Sequence, residues 1–348
     1  MKWNAAGLLL GTVLAACGSG DAPFGEDTVT SGAEDGSIES DRALPPGTAS
    51  PESSTSIFRR EALDEDNGNG FARNISYNAE DDTFSVDNLP FDGTGPYIRG
   101  TAVGSFGDYA VYEAVAQSND AVTESTINQL THRAIYGISR SGETEFAIVR
   151  TGAYQGYGFG GFVYERNGTV ILPTSGQARF DGTGAGLRDY IGRGGLDYIA
   201  ADVQIALDFD DFNEDTGVFE GAVDGFIFNK RIFNLDGDDE TASTIARINE
   251  GNNASLSAIP TTVFSIGPNA LDENGEITGE VTSPFGDNSG TAREYGTGTY
   301  FGVVSGEGAE QEIVGIVVTE SSTDTQGVTV RDTIGFTIYR DETADADG

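Results

Sequence analysis

Alternation of apolar and polar residues is the dominant pattern of the chain from Ile57 onward. The clearest run lies between Asp202 and Asp210. Large apolar residues occupy every second position of that run: Val203, Ile205, Leu207 and Phe209. The same spacing recurs near the C-terminus, at Val328, Val330, Ile334, Phe336 and Ile338. A period of two over such lengths predicts β-strands with one buried face.

Turn signals separate these runs. Asn167-Gly168 stands between two alternating segments and predicts a tight hairpin, and Asn274-Gly275 punctuates the second half similarly. The segment Asn119 to His132 has a ragged apolar face that suits a helix or a strand. With 49 Gly, 20 Phe and 13 Tyr, the composition favours β structure. The prediction is an all-β fold whose later hairpins close into an antiparallel barrel, because closure removes exposed strand edges.

The N-terminus has the layout of a secretory signal peptide. Lys2 precedes an apolar run from Ala5 to Val13, and two alanines then precede Cys17. The run is too short to span a bilayer as a helix, which takes about 20 apolar residues. Leu14-Ala15-Ala16-Cys17 resembles the lipobox of bacterial lipoproteins. That resemblance implies cleavage before Cys17, diacylglycerol on the sulfur of that residue with palmitate as the lipid label, and a lipoprotein of the outer membrane.

The formal net charge of −37 limits the partners. It arises from 56 acidic and 19 basic residues. Such a surface repels phosphate groups, so nucleic acid is excluded and membrane contact is expected through the lipid anchor only. The acids are spread along the whole chain, which favours a solubilising role over a landing zone for a basic partner.

A glycine-rich segment near the C-terminus resembles a known family. Gly298-Thr299-Tyr300-Phe301-Gly302 is followed by Gly308-Ala309-Glu310-Gln311-Glu312 and Gly315. This pattern is similar to the barrel domain of the transferrin-binding protein B family of surface lipoproteins. Read without the family, Gly302 and Gly315 permit bends or bulges at a barrel corner. The resemblance implies a β-rich, handle-like domain followed by a soluble eight-stranded antiparallel barrel.

Four regions are predicted along the chain. They are a signal peptide at residues 1–16, a lipidated N-terminus and disordered tether at 17–56, a handle-like domain at 57–172, and a barrel domain with a short acidic tail at 173–348. The tether is predicted because its few large apolar residues cannot offset the cost of ordering the chain.

The resemblance implies binding without chemistry. Members of that family capture host iron carriers, haem-protein complexes or complement regulators at the cell surface. The chain has room for one handle and one barrel, so we expect a monomer without cofactor that binds an extracellular protein or a carrier of haem or metal. Display on the periplasmic side stays open. The alternatives are a lipid-anchored carbohydrate hydrolase that uses paired carboxylates, and a passive coat or adhesion protein.

Two segments carry candidate binding residues. The densest aromatic stretch contains Tyr154, Tyr157 and Phe159 among glycines, which suits an interface, although a core strand explains it too. Asp236, Asp238 and Glu240 place oxygens at alternate positions, as calcium requires. They lack the full EF-hand pattern, and clusters of this kind arise readily in an acidic chain.

His132 is the only histidine, so it is the one residue that could serve as the base of a serine or cysteine triad. Neither Cys nor Asp stands near it in sequence, and a surface or strand role is expected.

Overall fold

A computed structural model describes most of the chain after the first 41 residues. The described residues are 42–90, 92–93, 95–119, 122–154, 157–210, 212–219, 223–267, 270–321 and 328–341. Of Ser118, Ala153, Tyr154 and Tyr157 only the backbone is described. Within these ranges no helix is long and apolar enough to cross a membrane.

The first sheet contains nine strands among the described residues, and every pairing in it is antiparallel. These strands are β1 (Ile57–Arg60), β2 (Arg73–Asn78), β3 (Thr83–Asp87), β4 (Tyr97–Arg99), β5 (Ser105–Phe106), β6 (Tyr109–Glu113), β9 (His132–Ile138), β10 (Thr144–Tyr154) and β11 (Tyr157–Arg166). Their order is β1-β11-β10-β9-β6-β4-β3-β2, with β5 beside β6. The sheet curls into a half-barrel.

The hairpin of β7 (Gln117–Asn119) and β8 (Thr126–Asn128) lies in the chain connection between the paired strands β6 and β9 and forms a separate two-stranded sheet. It occupies most of the ambiguous segment Asn119 to His132, which therefore contains strands and no helix in its described part.

The second sheet closes into an eight-stranded antiparallel barrel. Its strands are β13 (Gln177–Ile191), β14 (Leu196–Asp208), β17 (Val223–Phe233), β18 (Thr262–Phe264), β20 (Glu276–Gly286), β21 (Ala292–Glu307), β22 (Glu312–Ser321) and β23 (Thr329–Arg340). The pairing of β20 with β21 completes the ring. Short strands flank it: β12 (Val170–Ile171), β15 (Phe212–Asn213), β16 (Val218–Phe219) and β19 (Leu271–Asp272). The predicted all-β fold with a barrel of this type is confirmed.

The predicted alternation fills the barrel. Along β14 every second residue from Ile199 to Leu207 is buried in the barrel core. A second cluster lies between the barrel and the first sheet. There the Phe146 ring packs so closely over Gly335 that a Cβ built on Gly335 would lie 2.1 Å from it. The opposite face of the first sheet has its own aromatic core around Phe84, Tyr112 and Tyr136.

Gly302 and Gly315 lie directly opposite each other on β21 and β22, in a pairing without a register shift. The bulge expected there is therefore absent. A Cβ on Gly315 would lie 2.5 Å from the Phe336 ring, and a Cβ on Gly302 would lie 3.1 Å from the Ile277 side chain. These glycines make room for large side chains inside the barrel.

Residues 42 to 56, part of the predicted tether, lie against the folded body; we call them the strap. Arg42 Nη1 is 2.6 Å from the Asp272 carboxylate, and its Nη2 donates to the carbonyls of Ala270 and Glu276. The Val170 amide donates to the Ser53 carbonyl at 2.8 Å. The strap thus contacts the barrel at one end.

The helix α1 (Thr241–Asn252) is the one α-helix among the described residues, and the sequence patterns did not predict it. Only Thr244 and Ile248 of this helix are buried, so its apolar stripe is too narrow to be distinguished from a loop by periodicity.

Candidate binding surface

The antiparallel strands give the molecule two distinct ends. The strap reaches one of them, which we call the strap end, where Asp272 and Glu276 hold Arg42. β13 runs away from that end for 15 residues, about 50 Å at ~3.3 Å per residue. At the opposite end, which we call the loop end, β10, β13, β17 and β22 end and β11, β14 and β23 begin.

Both sheets contribute to the loop end, and they meet there. The amide of Gly195, in the β13–β14 turn, donates to the carbonyl of Gly152 on β10 at 2.7 Å. A Cβ on Gly152 would lie 1.9 Å from the Gly195 oxygen, so the close approach requires glycine. The loops of the two sheets therefore form one continuous surface.

The β7–β8 hairpin projects from this end. β6 and β9 pair up to Glu113 and Arg133, and the chain continues past that pair into the hairpin. Val122 at its turn is 90% exposed and Ile127 on β8 is 40% exposed. Both side chains are therefore accessible to a partner that approaches the loop end. The alternation of apolar and polar residues does not reveal this hairpin, because its strands are only three residues long.

Of the candidate residues in the predicted aromatic segment, only the side chain of Phe159 lies in the described part. Tyr154 and Tyr157 pair through their backbones across the β10–β11 turn at the loop end, and their side chains are outside the described part. Phe159 is 8% exposed and stacks on Phe71 with ring centroids 4.3 Å apart. Phe159 thus has a core position, because alternation turns it toward the interior of the first sheet.

The predicted cation ligands do not converge. In the described part of the chain, no group of three or more His, Cys, Asp or Glu side chains is arranged to hold a metal. Instead these polar residues shape the entry to α1: the Asp236 and Asp238 amides donate to Asn234 Oδ1, and Ser243 Oγ donates to Glu240 Oε2. The alternating oxygens are part of a loop that initiates a helix.

His132 lies inside the first sheet with no exposed surface. Its ring is 6.4 Å from the Tyr97 ring, and burial lowers its pKa to about 4. A neutral, enclosed imidazole does not suit a general base that must reach a substrate. Cys17 lies outside the described residues.

A pair of carboxyl groups does exist. Glu145 and Glu165 lie opposite each other on β10 and β11, and both are buried. Tyr136 Oη donates to Glu145 Oε2 at 2.6 Å, and Asn167 Nδ2 donates to Glu165 Oε1 at 2.5 Å. Burial, together with the hydrogen bond to Glu165, raises the pKa of Glu145 to about 9. A glycosidase needs two carboxyl groups that flank an accessible sugar, and this sealed pair does not meet that need.

Sequence reasoning also missed Arg193 in the β13–β14 turn. The available signal was an arginine enclosed by glycines, Gly192-Arg193-Gly194-Gly195, in a strongly acidic chain. Its side chain is exposed at the loop end, where the two sheets meet.

Comparison with known proteins gives distant structural similarities only. No family model and no curated protein match the chain.

An intact transferrin-binding protein B with N and C lobes, designated Ap-TbpB, is 14% identical at a TM-score of 0.34, covering 74% of this chain. A single-substitution mutant of the vaccine antigen Transferrin Binding Protein B from Haemophilus parasuis Hp5 is 12% identical at a TM-score of 0.33, covering 74% of this chain. The double mutant from the same source is 11% identical at a TM-score of 0.34, covering 76%. The chain spans 43–44% of the length of these structures. Function must therefore be inferred from the surface itself.

Proposed function

We propose that this protein is a lipid-anchored binding protein of the cell surface, which captures an extracellular protein or a carrier of haem or metal. The observation that carries the proposal is the placement of the strap and the loops at opposite ends. A lipid at Cys17 and the residues up to Arg42 lead to the strap end. The loop end then faces away from the membrane.

The loop end has the features that a capture surface needs. The projecting hairpin exposes Val122 and Ile127, and apolar side chains that become buried supply most of the energy of protein association. The rigid strands behind the loops reduce the entropy lost on binding. With a net charge of −37, the rim favours partners whose contact surface is not acidic.

Lipidation and display are tested on whole cells. The full chain is expressed in a bacterium with an outer membrane, beside a Cys17→Ser variant, with radiolabelled palmitate in the medium. We expect label in the wild type only, and loss of the β7–β8 hairpin when protease is added to intact cells. Label in Cys17→Ser contradicts the anchor. A hairpin that protease reaches only after the outer membrane is opened contradicts surface display.

Capture is tested with purified carriers. Immobilised transferrin and haemoglobin are exposed to the wild type, to Val122→Asp at the loop end and to Ile171→Asp at the strap end. Ile171 is 57% exposed, so the control places the same charge on an equally apolar site. We expect at least one carrier to retain the wild type and Ile171→Asp, and Val122→Asp to bind about tenfold more weakly. Retention of none, or equal losses in both variants, contradicts capture of a carrier at the loop end.

A further inference from the structure

A cleft lies at the loop end along the line where the two sheets meet. It has a volume of about 370 Å³. Its walls come from both sheets and from the loop before α1: Thr131, Gly152, Arg193, Gly195, Leu196 and Leu235. Clefts of roughly this size at the junction of two structural units are common sites for small molecules.

Arg193 is held in the cleft by an aromatic platform. Its guanidinium carbon lies 4.1 Å from the centroid of the Tyr190 ring. Tyr190 is itself 2% exposed, and its hydroxyl donates to Asp197 Oδ2 at 2.5 Å. Stacking on a fixed ring leaves the edges of a guanidinium group available for hydrogen bonds, and it reduces the entropy lost when an anion binds.

Arg193 differs from its neighbours in charge pairing. Arg133 pairs with Glu113 at 2.9 Å, and Arg231 pairs with Asp239 at 2.7 Å. Among the residues that the structure describes, no carboxylate lies within 4.0 Å of the Arg193 guanidinium nitrogens. The positive charge of Arg193 favours the ionised form of nearby Asp197. The Asp197 carboxylate accepts the hydrogen bond from the Tyr190 hydroxyl. An exposed cation is thus left unpaired in a chain with a net charge of −37.

The other residues that line the cleft are mostly apolar or have small side chains. Leu196 is 6% exposed at its base and Leu235 forms a wall, while Gly152 and Gly195 have no side chains to obstruct entry. The Gly195 amide is already bonded to the Gly152 carbonyl, so Arg193 is the main source of positive charge.

We propose that this cleft binds a small organic anion, whose carboxylate or sulfonate group pairs with Arg193 and whose apolar body packs on Leu196 and Leu235. A guanidinium group matches the two oxygens of a carboxylate with two parallel hydrogen bonds. An apolar body gains by leaving water, whereas an anion without one gains only the pairing with an exposed arginine. Neither Val122 nor Ile127 of the projecting hairpin lines this cleft, so it adds a small-molecule ligand to the proposed capture of a macromolecule.

The test uses the purified full-length chain and the fluorescent probe 8-anilinonaphthalene-1-sulfonate, which combines an aryl body with a sulfonate. Arg193→Gln removes the charge and Arg193→Lys keeps it without the paired geometry. Arg140→Gln is the matched control, because exposed Arg140 stacks on Tyr339 at the same 4.1 Å but lies at the strap end. Circular dichroism and the melting temperature verify that each variant is folded.

We expect one probe molecule per chain, with equal affinity in the wild type and Arg140→Gln. Arg193→Gln should bind at least tenfold more weakly, and Arg193→Lys should be intermediate. Octanoate should displace the probe at lower concentration than inorganic phosphate or octanol. The proposal is overturned if Arg193→Gln binds like the wild type, if Arg140→Gln is equally weakened, or if octanol competes as well as octanoate. None of these results depends on lipidation or on capture of a carrier.

Discussion

Arg59 on β1 and Glu276 on β20 form a paired salt bridge that joins the first sheet to the barrel. Nε and Nη2 of Arg59 donate to the two carboxylate oxygens of Glu276 at 2.6 and 2.7 Å, and neither side chain is exposed. Glu61 with Arg331 and Asp189 with Arg150 add further buried ion pairs across the same interface. The two sheets are therefore fastened by charges as well as by apolar packing.

Removal of one partner should leave the other charge buried and uncompensated. We expect Arg59→Met to lower the free energy of unfolding by about 3–5 kcal/mol, as for other broken buried pairs. The double variant Arg59→Met/Glu276→Met should be more stable than the sum of the single losses predicts. Urea denaturation measures each value. Arg179→Met, in a half-exposed pair with Asp181, is the control and should cost at most about 1 kcal/mol. Additive losses at Arg59 and Glu276 would contradict the coupling.

Glu145 should make the protein less stable as the pH rises from 4.5 to 9. The folded state keeps its proton up to about pH 9, whereas the unfolded chain loses it above 4.5, so the folded state binds more protons in this window. The slope from this group is at most about 1.4 kcal/mol per pH unit. Glu145→Gln should remove that slope and raise the melting temperature at pH 8. Glu80→Gln, at an exposed position, is the control. The same slope in wild type and Glu145→Gln would show that Glu145 does not keep its proton in the folded state over this pH range.

Lys230 should make the protein more stable as the pH rises above 8, which is the opposite of the effect of Glu145. It is 5% exposed inside the barrel, Nζ donates to Thr262 Oγ1 at 2.9 Å, and burial lowers its pKa to about 8. Between pH 8 and the ordinary value of 10.5, the unfolded chain binds more protons, so this contribution to stability rises with pH. Lys230→Met should abolish the rise. Calorimetric melting from pH 7.5 to 10.5 measures it, and a rise that persists in Lys230→Met must come from another group.

An added methyl group at Gly335 should weaken the packing between the two sheets. Its Cβ would lie 2.1 Å from the Phe146 ring, and crowding of a packed interior costs about 1–3 kcal/mol. We expect Gly335→Ala to lower the melting temperature. Phe146→Leu in the same chain should restore part of the loss by vacating space. Gly286→Ala is the control, since nothing lies within 4 Å of its added Cβ. If Gly335→Ala and Gly286→Ala have the same melting temperature, the Phe146 ring leaves room for a methyl group at Gly335.

Local patterns were sufficient for the fold class but not for the sites. The alternation along β14 depends only on neighbouring residues, and it is confirmed by the burial of every second residue from Ile199 to Leu207. β23 alternates in sequence too, yet every residue from Val330 to Ile338 is buried, because the first sheet packs against the face of β23 that is turned away from the barrel core. The role of Asp236, Asp238 and Glu240 depends on how the chain continues into α1, which periodicity could not reveal. Phe159 lies in an aromatic segment whose sequence suits an interface as well as a core strand, and only its packing against Phe71 assigns it to the core.

By itself, the sequence determined that the chain folds as β-strands and that strands such as β14 have one buried face, because periodicity is a property of adjacent residues. Only the tertiary structure decided which residues meet. Residues 59 and 276 stand more than 200 positions apart, as do Arg42 and Asp272, and the cleft at Arg193 joins turns from two sheets. Such contacts depend on how strands close in space, which no local pattern records.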